Sequence, residues 1–146
     1  MSDGLSTKER LMEAALATVR EQGLIGTSAR SIARTGDLNQ ALVFYHFGSV
    51  DELLIAALRR ANERRLARFA PELEAVEDLG ALVRLATELH AGRDDPDHEA
   101  IAAITAGWSD EDSAAQVMEA LEPWDRLVAD ALRRCLASSP LSLIHI

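Results

Sequence analysis

Apolar residues recur with the helical period along nearly the whole chain. Between Thr7 and Gln22, Leu11, Met12, Ala15, Leu16 and Val19 form one stripe; Ser6 and Glu9 have capping-box spacing, and Gly23 stands where a C-cap glycine belongs. A shorter helix opens at Thr27 or Ser28 with Ile32 and Ala33 as its small apolar face. It breaks at Gly36-Asp37-Leu38, where glycine reaches positive φ freely and aspartate tolerates it. Asn39 can cap the next helix, with Leu42, Val43 and Phe47 inward and Gln40, Ala41, Phe44, Tyr45 and His46 on or near the outer face. Ser49 and Glu52 then cap a long helix running to Phe69, with Leu53, Leu54, Ala57, Leu58 and Ala61 inside and Pro71 as its stop.

Three more helices follow. The first covers 76–92, with Leu79, Leu82, Val83, Leu85, Ala86 and Leu89 inward. The second runs from Asp97 to Trp108 on a spine of Ile101 and Ile104. The third, capped by Ser109 or Asp110, reaches about Leu136 with an irregularity at Pro123; Val117, Met118, Leu121, Trp124, Leu127, Val128, Leu132 and Leu136 form its apolar face. The expected fold class is all-α. A three-helix head occupies 1–54, its last helix running on to about 69, and a partial helical body occupies 70–140.

Helix, tight turn and helix between Thr27 and Phe47 is the plan that lays its second helix in the DNA major groove. Gln40 carries the paired donor and acceptor that bridge an adenine edge, and Tyr45 and His46 can reach the flanking backbone. A Thr27 or Ser28 cap leaves backbone N–H groups facing outward, where they attract phosphate, with Arg30 and Arg34 close by. The plainer readings are an ordinary cap at Thr27 or Ser28, a structural hydrogen-bonder at His46, and core packing for Phe44 and Phe47.

This stretch resembles the DNA-binding segment of TetR-family transcriptional regulators. The resemblance is carried by Thr27-Ser28-Ala29-Arg30-Ser31-Ile32-Ala33, by Phe44-Tyr45-His46-Phe47, and by Gly48-Ser49 before Asp51-Glu52-Leu53-Leu54. It implies an all-helical regulator, most often a repressor, that binds double-stranded operator DNA as a homodimer and releases it on binding a small-molecule inducer. Onto this chain it carries DNA contact at Gln40, Ala41, Phe44, Tyr45 and His46, alongside Thr27, Ser28, Arg30 and Asn39 from the residues themselves. Two positions depart from the family pattern. Asp37 stands where glycine is common, implying a strained turn or a positive φ moved to Gly36. Val50 stands where a phosphate-binding lysine is common, implying a shallower salt dependence.

Charge modifies this picture. The formal net charge is −9, with 15 basic and 24 acidic residues. Within 1–60, Lys8, Arg10, Arg20, Arg30, Arg34, Arg59 and Arg60 balance Asp3, Glu9, Glu13, Glu21, Asp37, Asp51 and Glu52, so the whole excess lies in 61–146. A neutral head permits local DNA contact while an acidic body repels phosphate. Arg59, Arg60, Arg64, Arg65 and Arg68 read as a solvated helix face with i,i+4 partners such as Glu63. With Lys8 as the sole lysine and alanine abundant, the composition suggests a high-GC bacterial genome.

The single cysteine, Cys135, excludes an internal disulfide and fits a reducing cytoplasm. No run of eighteen apolar residues suggests a membrane span, and the polar, acidic start argues against a signal peptide. No catalytic motif or phosphate loop stands out, so neither an enzyme nor a cofactor is expected. His90, Asp94 and His98 are spaced by four, as metal ligands can be, but Gly92 and Pro96 interrupt any shared helix, so no metal is expected. His90, Trp108, Met118 and Trp124 are candidates to line an apolar ligand pocket or simply to fill core. The alternatives to a regulator are a helical protein-interaction module without DNA activity and a small-ligand- or metal-binding helical protein.

After Pro140 the composition changes abruptly to Leu141-Ser142-Leu143-Ile144-His145-Ile146. One reading frame of a widely used transposon sequencing adapter encodes the same hexapeptide. Residues 141–146 are therefore expected to be non-native, and the parent to continue into two further helices that pair with a twin copy. Dimerisation and tight operator binding are then doubtful for this chain, because one half-site forfeits the effective concentration of the second.

Overall fold

The structure is a computed structural model that describes residues 4–92 and 95–139. The described residues form seven helices and no strand: α1 (Thr7–Gln22), α2 (Ala29–Gly36), α3 (Ala41–Phe47), α4 (Val50–Ala75), α5 (Leu79–His90), α6 (His98–Ala106) and α7 (Glu111–Ala137). The all-α expectation holds. The tail 141–146 lies outside the described residues.

Helix boundaries follow local chemistry. Ser6 Oγ accepts from Glu9 N–H and Glu9 returns the bond to Ser6 N–H, starting α1; Gly23 at φ 74° ends it. Asp78 Oδ1 accepts from Ala81 N–H at 2.8 Å, which starts α5 at Leu79, later than the expected 76. Asp110 Oδ1 accepts from Ser113 N–H at 2.8 Å and starts α7. Helix α6 stops at Ala106, before Gly107, rather than at Trp108.

Pro71 does not stop α4, which continues a further turn to Ala75 with the proline inside it. An internal proline forfeits one helical hydrogen bond, a cost of about 3 kcal/mol or more. Burial of Phe69 and Leu73 on either side offsets this, at roughly 1.5–3 kcal/mol for each large apolar side chain. Pro123 likewise sits inside α7.

Two compact units are present, and they interleave along the chain. The first comprises residues up to Ala61 together with Asp97–Ala120. Its core takes Leu11, Leu16 and Val19 from α1, Ile32 from α2, Val43 from α3, and Leu53, Leu54 and Leu58 from α4. Helix α6 joins this unit by packing on α1, burying Ala100, Ile101 and Ile104. Two isoleucines one turn apart need an apolar face opposite, and α1 supplies it.

The second unit comprises Asn62–Pro96 and the residues from Leu121 onward. Phe69, Leu73, Leu82, Leu85, Ala131 and Cys135 form its core, with Val76, Leu89, Trp124, Leu127 and Val128 packed around it. Leu79, Val83 and Ala86 of α5 are exposed rather than inward, as are Met118, Leu132 and Leu136 of α7. Only one stripe of each helix meets the cluster.

Three arginines of the α4 run, Arg59, Arg60 and Arg65, have acidic partners on other elements. Arg60 reaches Glu13 at 2.6 Å and Glu9 at 3.5 Å on α1, and Arg59 lies 3.9 Å from Glu119 on α7. In the second unit Arg65 places Nε and Nη2 on the buried carboxylate of Asp95, at 2.9 and 2.8 Å, while its guanidinium lies over the Trp124 ring. Acceptors fixed on other elements hold these arginines in place, whereas a local partner on the same exposed face is worth only a few tenths of a kcal/mol.

Candidate nucleic-acid interface

Helix α2 starts at Ser28, whose Oγ accepts from Ser31 N–H at 3.1 Å while Ser31 Oγ accepts from Ser28 N–H at 2.8 Å. Serine at the third position takes the part that Glu or Gln usually plays in a capping box. Of the two candidate caps, Ser28 is thus the one used. Thr27 instead donates its hydroxyl to the Gly23 carbonyl at 2.8 Å, closing the connection from α1. Ser28 and Arg30 are exposed at this end of α2 and Thr27 is half-buried.

The turn is a left-handed helix stop. Asp37 has φ 51° and ψ 52°, and Leu38 N–H bonds the Ala33 carbonyl at 2.9 Å while Asp37 N–H points to Arg34 O at 3.4 Å. That pair of bonds is a Schellman motif, with an aspartate where glycine is usual. The positive φ is therefore not moved to Gly36, which stays helical. Gly36 is small for another reason: a Cβ there would stand 2.8 Å from Ala14 Cβ on α1. Beside it lies a shallow hollow of about 240 Å³ bordered by Leu5, Arg10, Ala17 and Thr35.

Asn39 Oδ1 accepts from Ala41 N–H at 2.9 Å, so Asn39 caps α3 although the helix boundary falls at Gln40. Val43 is fully buried, and Leu42 and Phe47 are half-buried, anchoring one side of α3. The opposite side is open. Gln40 and Ala41 are exposed, Phe44 is 50% exposed and Tyr45 81% exposed. His46 is half-buried with its ring edge-on to Tyr45, centroids 4.8 Å apart. Gly48 at φ 82° ends α3, and Ser49 Oγ accepts from Glu52 N–H at 3.1 Å to open α4.

Ion pairing changes how the head's zero net charge is distributed. Arg20 is held by Asp97, Arg59 by Glu119, and Arg60 by Glu9 and Glu13. Among the described residues, Lys8, Arg10, Arg30 and Arg34 carry no ion pair. Lys8 and Arg10 entered the charge balance of the sequence but were not among its expected DNA contacts. Glu9 is itself held below the usual carboxylate range, first by the Ser6 backbone N–H and then by the Arg60 charge.

The four candidate ligand residues divide between the units. Trp108 and Met118 belong to the first; Met118 is 61% exposed, and the buried Trp108 Nε1 has no hydrogen-bond partner among the described residues. His90 and Trp124 belong to the second, where His90 is exposed and Trp124 packs edge-to-face on Phe69. His90 and His98 are likewise in different units, Asp94 lies outside the described residues, and no metal-holding cluster occurs among those described. No single helix among them is long and apolar enough to cross a membrane.

Residues 11–57, the span from mid-α1 into α4, match the family model for bacterial regulatory proteins of the tetR family. The chain is similar to the HTH-type transcriptional regulator BetI of Rhizobium meliloti (strain 1021), 30% identical over 82 residues, 53% of this chain and 40% of that protein. It is also similar to BetI of Burkholderia ambifaria (strain MC40-6), 28% identical over 139 residues, 94% of this chain and 63% of that protein. It thus spans only 40% to 63% of the length of these relatives. Among solved structures, the multidrug binding protein EbrR complexed with imidazole superposes with a TM-score of 0.69 at 28% identity, covering 95% of this chain and 82% of that one. The family match is thus centred on the helix-turn-helix within residues 11–57, and the likeness to EbrR extends over nearly the whole chain.

Proposed function

We propose that this chain is a sequence-specific DNA-binding transcriptional regulator, a ligand-responsive repressor whose full-length form acts as a homodimer in the cytoplasm. The open face of α3 carries the reading: a seven-residue helix anchored by Val43 leaves Gln40, Ala41, Phe44 and Tyr45 outward with no covering element among the described residues. Gln40 would bridge a base edge, and Ala41 and Phe44 would meet apolar groove atoms such as a thymine methyl. Tyr45, His46 and Asn39 would bond sugar–phosphate oxygens, and the Ser28-capped end of α2 with Thr27 and Arg30 would seat a phosphate.

A repressor of this kind exists in two forms that differ in DNA affinity, and a ligand shifts the balance only by binding one of them better. The likeness to a multidrug binding protein crystallised with imidazole supports a small organic ligand for the body. In a dimer the two α3 helices would enter successive major grooves, roughly 34–36 Å apart.

The test is selection of duplex DNA from a random pool by the purified chain, followed by affinity measurement across salt concentrations. The reading expects enrichment of a short half-site and a log–log salt slope of roughly −0.9 per neutralised phosphate. Absence of any enriched sequence would overturn it.

A further inference from the structure

Helix α6 is seated on the head at both of its ends. At its N-terminal end the Asp97 carboxylate, 5% exposed, lies 3.1 Å from Arg20 in the last turn of α1. Asp97 stands at the N-cap position of α6 yet makes no side-chain cap bond to the helix. At the C-terminal end, Leu24 packs into the space left by the missing side chain of Gly107, where any Cβ would collide with Leu24 Cδ2. Arg20 and Leu24 flank Gly23, the glycine that turns the chain out of α1. Three residues beyond Leu24 is Thr27, whose hydroxyl and backbone N–H return to Gly23 O and Leu24 O, and then Ser28, the cap of α2.

We propose that Arg20, Asp97 and Leu24 are positioning residues for DNA binding, which fix the phosphate-facing end of α2 by clamping the α1–α2 connection onto α6. The proposal rests on the DNA-binding reading above and adds to it a route by which α6 sets operator affinity. The electrostatics suit a fixed joint: Arg20 sits at the negative end of the α1 dipole and Asp97 at the positive end of α6. Burial of Asp97 strengthens the attraction between its carboxylate and the guanidinium, because the pair is poorly screened by water. The Leu24 contact is purely steric and independent of the charge pair.

The experiment uses the full chain and the duplex enriched by the wild type, with affinity expressed per folded molecule. Asp97→Asn and Arg20→Met are each expected to weaken binding about tenfold, the equivalent of roughly 1.4 kcal/mol. The salt slope should stay unchanged, since no phosphate contact is removed. Leu24→Ala, which leaves the charge pair intact, should weaken binding similarly. Amide exchange at Ala29–Ile32 should accelerate in all three variants. The charge-swapped pair Arg20→Asp with Asp97→Arg should recover part of the affinity. Leu82→Ala, in the second unit, should lower stability without altering affinity per folded molecule. Affinity unchanged in Asp97→Asn and Leu24→Ala, or lost equally in Leu82→Ala, overturns the clamp while leaving DNA binding intact. Failure of the wild type to enrich any duplex overturns both.

Discussion

Gly36 and Ala14 approach so closely that a methyl group on Gly36 would stand 2.8 Å from the Ala14 methyl. This contact sets how near α2 lies to α1, and therefore where the turn delivers α3. A buried chain of hydroxyls reinforces it, Thr18 to Thr35 at 2.9 Å and Thr35 to the Ser31 carbonyl at 3.0 Å. Gly36→Ala gains up to about 1 kcal/mol in helix propensity. Overpacking at such a site costs typically 1–3 kcal/mol, so the net effect should be destabilising. Urea unfolding should show a lower midpoint for Gly36→Ala, and a higher one would contradict the contact.

Asp37 makes the opposite case. At φ 51° it pays for a left-handed conformation that glycine adopts without strain. Asp37→Val should destabilise by roughly 1–2 kcal/mol, whereas Asp37→Gly should be neutral or slightly stabilising. Thermal melting of the two variants side by side checks the order.

Much of this head was legible because its signals are local. The caps at Ser6, Ser28, Asn39 and Ser49 each act within three residues, and the outward set on α3 follows from helical period alone. What sequence did not reveal depends on distant partners. Arg60 finds Glu9 and Glu13 some fifty positions away, Arg65 finds Asp95 thirty away, and α6 joins the head across the whole of α4 and α5. Pro71 misled for the same reason, since its cost is local and the burial of Phe69 and Leu73 that offsets it is tertiary.

The Arg65–Asp95 pair tests the second unit. Both side chains are nearly buried, at 12% and 5% exposed, so removing the guanidinium takes a close counter-charge away from a buried carboxylate. Arg65→Met should cost roughly 3 kcal/mol or more, and adding Asp95→Asn should recover a substantial part. Equal losses in the single and double variants would show that packing on Trp124, rather than charge, dominates.

Acid sensitivity follows from two carboxyls held below their usual values. Backbone N–H donation lowers Glu9, from Ser6, and Asp110, from Ser113. A carboxyl lowered in the folded state contributes stability above its unfolded value, and that contribution is lost as pH falls through the folded value. Melting temperature should therefore fall below about pH 4.5, the ordinary value for Glu, and continue to fall past 3.8, that for Asp. Glu9→Gln and Asp110→Asn should each flatten this acid limb. An unchanged limb in both would contradict the caps.

Free and paired cations should separate in their salt response. Arg30→Ala should reduce the slope of log affinity against log salt by roughly 0.9, one phosphate's worth. Arg59→Ala, whose guanidinium already faces Glu119, should leave the slope unaltered. Equal effects would mean that α2 holds no phosphate.

The most direct measurement is the affinity of Gln40→Ala with Tyr45→Ala for the duplex the wild type selects, at fixed salt and with helicity verified. Both side chains are exposed, so the fold should be unaffected. Loss of about 2 kcal/mol or more, roughly thirtyfold, is the predicted result. Affinity equal to wild type in the folded double variant would contradict the claim that α3 reads DNA.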